Sequence, residues 1–169
     1  MITQSTPKKQ AIPVVPEEEP SAENPSVRED IPLDAETQQL LRQACEETGV
    51  LFELALAVIK QETDFRNIIG DGGDSIGYMQ IQPRWHGDRM ERLGVTDLTD
   101  PYGNFLVGCD YLAEMVGKGR GVAWALMAYN GGATYANDMA RAEKTSQYAM
   151  DVLNYMENLE ESKYGNMEF

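Results

Sequence analysis

Histidine is nearly missing from this chain: His86 is the only one. That leaves little basis for a zinc centre or a Ser-His-Asp triad, and no metal or other cofactor is expected. Cysteine is scarce as well. Cys45 and Cys109 each fall in an apolar helical register, so two buried free thiols are expected rather than a disulfide or a metal pair. Positive charge is thin, with 14 Lys and Arg against 28 Asp and Glu and a net charge of −14. Such a chain repels nucleic acid and anionic lipid, and no nucleic-acid partner is expected. The longest apolar run, residues 50–59, is interrupted by Glu53 and is too short to cross a bilayer, so no membrane insertion is expected. Residues 1–10 contain no apolar signal-peptide core. Strand-like sequence is almost absent too, which leaves helices as the scaffold.

What is present divides the 169 residues into a tail and one domain. Residues 1–31 carry Pro13, Pro16, Pro20 and Pro25, a Glu17-Glu18-Glu19 run and few large apolar groups. That composition cannot bury enough surface to offset ordering entropy and reads as a disordered linker, a tether to a preceding module. Residues 32–169 form the domain, expected to be a monomer. Asp34 can cap a first helix with Leu40, Leu41, Ala44 and Cys45 at helical spacing, and Gly49 ends it. A second helix follows at about 51–64. A Gly/Asp-rich turn over 70–74 precedes Ile76, Tyr78, Met79 and Ile81, which predict a short extended segment or hairpin. The glycines come without a Lys, which argues against a phosphate loop. A short helix is expected from Pro83 to about Arg92. Asp100-Pro101 opens a longer one that runs to Gly117. Three more are expected, at 122–129, about 133–142 and about 146–159, the first ending at Asn130-Gly131-Gly132. The class is all-α, a compact helical domain with one small β-hairpin.

The second helix is apolar nearly all round, and Glu62 sits at its C-terminal end. Ile59, Val58, Ala55 and Leu51 precede it at i−3, i−4, i−7 and i−11, which puts the acid on the core stripe. A carboxyl there has its charged form disfavoured and its pKa raised, as suits a general acid near neutral pH. Taken alone, the helix favours a plainer reading, a solvated Glu at a helix end. Other polar residues gather where helices break: Asp71, Asp74, Ser75 and Gln80, then Tyr129-Asn130, with Tyr148 in the last helix. Each has a plain reading as well: turn formers, an exposed filler, a helix cap, core aromatics.

Four segments in order resemble the SLT-type lytic transglycosylases, which share the goose-type lysozyme fold. Ile59-Lys-Gln-Glu62-Thr63 is similar to the family's catalytic Glu segment, with Thr63 where Ser is usual. Gly77-Tyr-Met-Gln80-Ile-Gln-Pro83 is similar to its Gly-Leu-Met-Gln motif, with Tyr78 in place of Leu. Ala128-Tyr-Asn-Gly-Gly132 matches Ala-Tyr-Asn-x-Gly, and Thr145-Ser-Gln-Tyr148 through Leu153 resembles the closing Tyr helix. Asp97-Leu-Thr-Asp-Pro101, with Asn104 and Tyr111-Leu112, also fits, so the resemblance covers about 31–159.

The resemblance implies that Glu62 is the single acid/base. It implies that Ser75, Met79, Gln80, Tyr129, Asn130 and Tyr148 bind substrate or orient the acid. The substrate implied is peptidoglycan, cut between N-acetylmuramic acid and N-acetylglucosamine to leave a 1,6-anhydro end. Hydrolysis is the rival, since Asp71 and Asp74 are candidate second carboxylates on the loop after the catalytic helix. A non-catalytic wall-binding or scaffold domain is the third reading. The implied place of action is the cell wall, periplasmic or extracellular, with export unaccounted for by any signal in the chain.

Overall fold

The structure, a computed structural model, describes residues 27–165. Residues 1–26, nearly all of the expected linker, lie outside the described residues, as do 166–169. The described elements are α1 (Ala35–Thr48), α2 (Phe52–Thr63), β1 (Ile69–Gly70), a single 3-10 turn (Asp71–Gly73), β2 (Ser75–Ile76), α3 (Pro83–Leu93), α4 (Pro101–Gly117), α5 (Val122–Arg141) and α6 (Gln147–Gly165). The expected all-helical class with a small hairpin is the architecture found.

Helix ends follow the local chemistry. The Asp34 carboxylate accepts from the Thr37 N–H at 2.7 Å, and Asp100 accepts from the Gly103 N–H at 2.8 Å, so both helices open on satisfied donors. Gly49 and Gly94 close α1 and α3 in the left-handed region. α2 is the buried centre. Leu54 through Ile59 are covered on every side, by α6 along one flank and α1 along another. α4 packs along α1 and α5, and α5 along α6. Cys45 and Cys109 are buried free thiols beside one another at the α1–α4 contact. The hydrogen-bonded Cys45 sulfur and burial push the Cys109 thiol well up.

Three expectations change in detail. Leu51, assigned to the core stripe, is the residue before α2 and is 60% exposed, because the chain is only entering the core there. The helices expected at 122–129 and 133–142 are one bent element. Only Gly132 leaves helical dihedrals, at φ 83° and ψ 162°, and the helix resumes at once. The last helix runs on past 159 to Gly165. The described start of the chain is fastened to the domain. Arg28 donates to the Leu159 carbonyl at 3.0 Å and the Ser162 hydroxyl at 2.6 Å, and the buried Gln38 amide exchanges hydrogen bonds with the Arg28 backbone.

The hairpin is smaller than the sequence suggests. β1 and β2 pair antiparallel as Ile69↔Ile76 and Gly70↔Ser75, and a single bridge joins Ile76 to Ile81. Residues 77–80, expected to be extended, form a tight turn with Gly77 at φ 78° and Gln80 at φ 50°. Side chains from the helices replace the missing ladder. The buried Asn104 of α4 donates to the Ile76 and Leu98 carbonyls at 2.8 and 3.0 Å and accepts from the Met79 N–H at 2.9 Å. A Cβ at Gly77 would overlap that amide, so the turn needs glycine for space as well as for φ.

Asn104 therefore carries the turn. Asn104→Ala leaves one buried donor and two carbonyls without their partner, at a cost of about 2–4 kcal/mol. Urea unfolding should show a lower midpoint at unchanged slope. A change under about 0.5 kcal/mol would mean that the turn is held by other contacts.

Candidate active site

Glu62 leaves the last turn of α2 on its apolar side and opens into a cleft of about 930 Å³. Burial raises its carboxyl pKa to about 7. The hydrogen bond from Tyr148 pulls the other way, and the nearby Asp71 charge adds a smaller upward push. The Tyr148 hydroxyl, brought over from α6, donates to Glu62 Oε1 at 2.7 Å. Its own pKa is driven well up by burial and by the Glu62 charge, so it stays a protonated donor across the working pH range.

The residue after the acid ties helix to turn. Thr63 Oγ1 lies 3.0 Å from the Tyr78 carbonyl and 3.2 Å from the Ile59 carbonyl, so its hydroxyl bridges the end of α2 and the turn. Tyr129 of α5 donates to the Met79 carbonyl at 2.9 Å. Gln80 spends its amide N–H groups on the Gly77 and Ile68 carbonyls at 2.9 and 3.2 Å. Residues 77–80 are thereby held from α2, α4 and α5 at once.

The structure brings most of the sequence-assigned residues together. Glu62, Asp71, Ser75, Gln80, Tyr129 and Asn130 all line the cleft, and Tyr148 reaches it through Glu62. Two do not line it. Met79 is fully buried, packed where a Cβ on Gly108 of α4 would overlap it, so it shapes the wall from behind. Asp74 points to solvent and pairs with Arg84 at 3.5 Å. Asp71 is the loop carboxylate that faces Glu62. Ser75 donates to Asp71 Oδ2 at 2.6 Å and accepts from the Gln82 amide at 3.0 Å, which fixes the direction of that carboxylate. The Ser75 hydroxyl is committed to Asp71 rather than to the open cleft.

Ile81, Gln82 and residues 131–134 of α5 continue the lining, and the rest of the wall comes from α3 and α4. Trp85, His86 and Arg89 of α3 face Tyr111 and Glu114 of α4. The His86 ring stands edge-on to Tyr111 with centroids 4.6 Å apart, and burial with the Arg89 charge lowers its pKa. Arg89 is paired with Asp110 and, at 2.5 Å, with Glu114. Among the described residues no group of three His, Cys, Asp or Glu converges as a metal site. The arrangement is one buried, protonatable carboxyl held by a phenol, beside a polar cleft, which can donate a proton and take one back.

Residues 39–152 match the family described as Transglycosylase SLT domain. The chain belongs to this family. Among solved structures it is similar to an inactive mutant of lytic transglycosylase Slt from Pseudomonas aeruginosa, with a TM-score of 0.60 at 20% identity. The match covers 70% of this chain and 23% of that one, so the chain spans less than a quarter of that protein's length. At this identity the likeness is one of fold, and it gives the SLT domain a lysozyme-like helical architecture. Sequence reading assigned no role to the α3 wall of this SLT domain. One signal was available: a Trp in the first turn after Pro83, with no apolar periodicity around it to bury it.

The raised pKa of Glu62 has a consequence for stability. The folded state holds this proton up to about pH 7, against 4.5 for an ordinary Glu. Its contribution is full below the unfolded pKa and is lost as pH rises through 7, a change of about 3 kcal/mol. Glu62→Gln cannot ionise. Its stability advantage over the parent should therefore open between pH 4.5 and 7 and level off above. Thermal melts at pH 4.5 and pH 8 measure this, and a gap independent of pH would contradict a buried, protonated Glu62.

Proposed function

We propose that the domain is a peptidoglycan lytic transglycosylase in which Glu62 alone serves as acid and then base. The observation that carries this is the buried Glu62 carboxyl, raised to about 7 and held by Tyr148. Protonated Glu62 donates to the glycosidic oxygen between N-acetylmuramic acid and N-acetylglucosamine. The substrate's own N-acetyl group meets the positive charge that develops on the sugar. The Glu62 carboxylate then takes the proton of the C6 hydroxyl as that oxygen closes the 1,6-anhydro ring. One carboxyl near its pKa suits both halves. Family membership and the cleft lining support this reading. Such a substrate lies outside the cytoplasmic membrane, which makes the cell wall or periplasm the place of action.

Asp71 supports a second reading. It lines the same cleft and its charge is felt at Glu62, as a water-directing carboxylate would require. Its hydrogen bond from Ser75 also suits a purely structural role, and the products separate the two.

Muropeptides released from purified peptidoglycan should carry anhydromuramyl ends by mass spectrometry. Reducing ends alone would replace the proposal with hydrolysis. Glu62→Gln should lose about 10³-fold in rate or more, whereas Asp71→Asn should cost less than about tenfold if Glu62 works alone. In the pH profile, kcat/KM should fall as pH rises through about 7, where Glu62 loses its proton. Tyr148→Phe removes a bond that favours the carboxylate, so its alkaline limb should move to higher pH while kcat drops. A limb moving to lower pH would contradict the assigned direction of that hydrogen bond.

A further inference from the structure

Trp85 is the most exposed large apolar side chain among the described residues, at 73%. It stands on the first turn of α3, and nothing in the helical core covers it. A single exposed apolar group is ordinary on a protein surface, but this indole also lines the cleft, where a bound molecule can reach its face. The other tryptophan, Trp124, is 6% exposed.

The indole is braced rather than loose. The Arg84 guanidinium lies 5.4 Å from its ring centroid. Arg84 in turn donates to Gln82 Oε1 at 2.9 Å and pairs with Asp74. Gln82 continues through Ser75 to Asp71, so a chain of polar contacts runs from the cleft carboxylate to the bracing cation. This gives Asp74 a use that does not require it to face the substrate. A second path leads inward along the cleft wall through rings. His86 meets Tyr111 at 4.6 Å, Tyr111 meets Tyr129 at 5.2 Å, and Tyr129 adjoins the turn beside Glu62.

A pyranose ring has an apolar C–H face bounded by equatorial hydroxyls. Such a face lies flat on an open aromatic ring while the hydroxyls remain in the polar groove, and a flat ring offers this at little entropic cost. We propose that Trp85 is a sugar-stacking platform that carries one pyranose ring of the bound glycan, in a subsite set off from the bond at Glu62 by the His86–Tyr111–Tyr129 rings. The proposal rests on the glycan-cleaving reading above. Arg84, braced by Asp74 and Gln82, is a positioning residue for the indole. A contact made equally to substrate and transition state lowers KM and leaves kcat alone.

The test uses the whole chain carrying Glu62→Gln, titrated with chito-oligosaccharides of graded length. Because Trp124 is buried, the fluorescence change should report Trp85, as a blue shift on saturation. Adding Trp85→Ala should remove the shift and weaken binding of the longer oligomers by about tenfold, and Trp85→Tyr should recover most of the loss. On peptidoglycan, Trp85→Ala in the active chain should raise KM with kcat kept within about threefold. If the Glu62→Gln chain binds oligosaccharide and adding Trp85→Ala leaves both the affinity and the ligand-induced shift unchanged, the platform is overturned while the function stands. If the parent neither binds nor cleaves glycan, the function itself fails and the platform with it.

Discussion

The turn at residues 77–80 is held by side chains from three helices, and the site depends on it. Two-residue strands make too few ladder bonds to hold a wall by themselves. Thr63 at the end of α2, Asn104 in α4 and Tyr129 in α5 each take a main-chain group of this turn. The helix that carries Glu62 and the loop that faces it are thereby joined at the residue next to the acid. A change in the packing of α4 or α5 would reach the acid through backbone carbonyls.

The electrostatics follow from what the cleft lacks. Arg89 is the one Arg or Lys in its lining, and Asp110 and Glu114 already hold it. Among the described residues no cation is set against Glu62 to favour its charged form, and the Asp71 charge disfavours it further. Tyr148 works in the opposite direction but cannot offset the burial. An acidic chain with few cations thus has a simple route to a neutral carboxyl near pH 7, and that state suits proton donation to a glycosidic oxygen.

The α3 wall shows another division of labour. The turn between β1 and β2 directs Asp71 toward the acid through Ser75, while its other aspartate, Asp74, faces outward to Arg84. Two carboxylates three residues apart thus serve opposite sides of one loop. Their spacing puts one on the cleft and the other on the surface that braces Trp85.

Much of this was legible in the chain. Caps at Asp34 and Asp100, stops at Gly49 and Gly94, and the apolar run of α2 are local chemistry, settled within a few residues, and the helices appear where that chemistry puts them. The motif residues Glu62, Gln80, Tyr129 and Asn130 could be named as a group from their order. What the sequence could not decide was which way each would face. Met79 and Asp74 belong to the right segments yet turn away from the cleft, because a tight turn leaves direction to tertiary contacts: the space over Gly108 for one and the Arg84 charge for the other. The shift of Glu62 was predictable in sign from its helix, but its cause is burial completed by α5, α6 and the turn, which are distant in sequence. Local chemistry determined the helices, and the order of motifs along the chain named the candidate acid. Only the tertiary structure decided which polar groups meet that acid, because burial and hydrogen-bond direction arise between segments rather than within them.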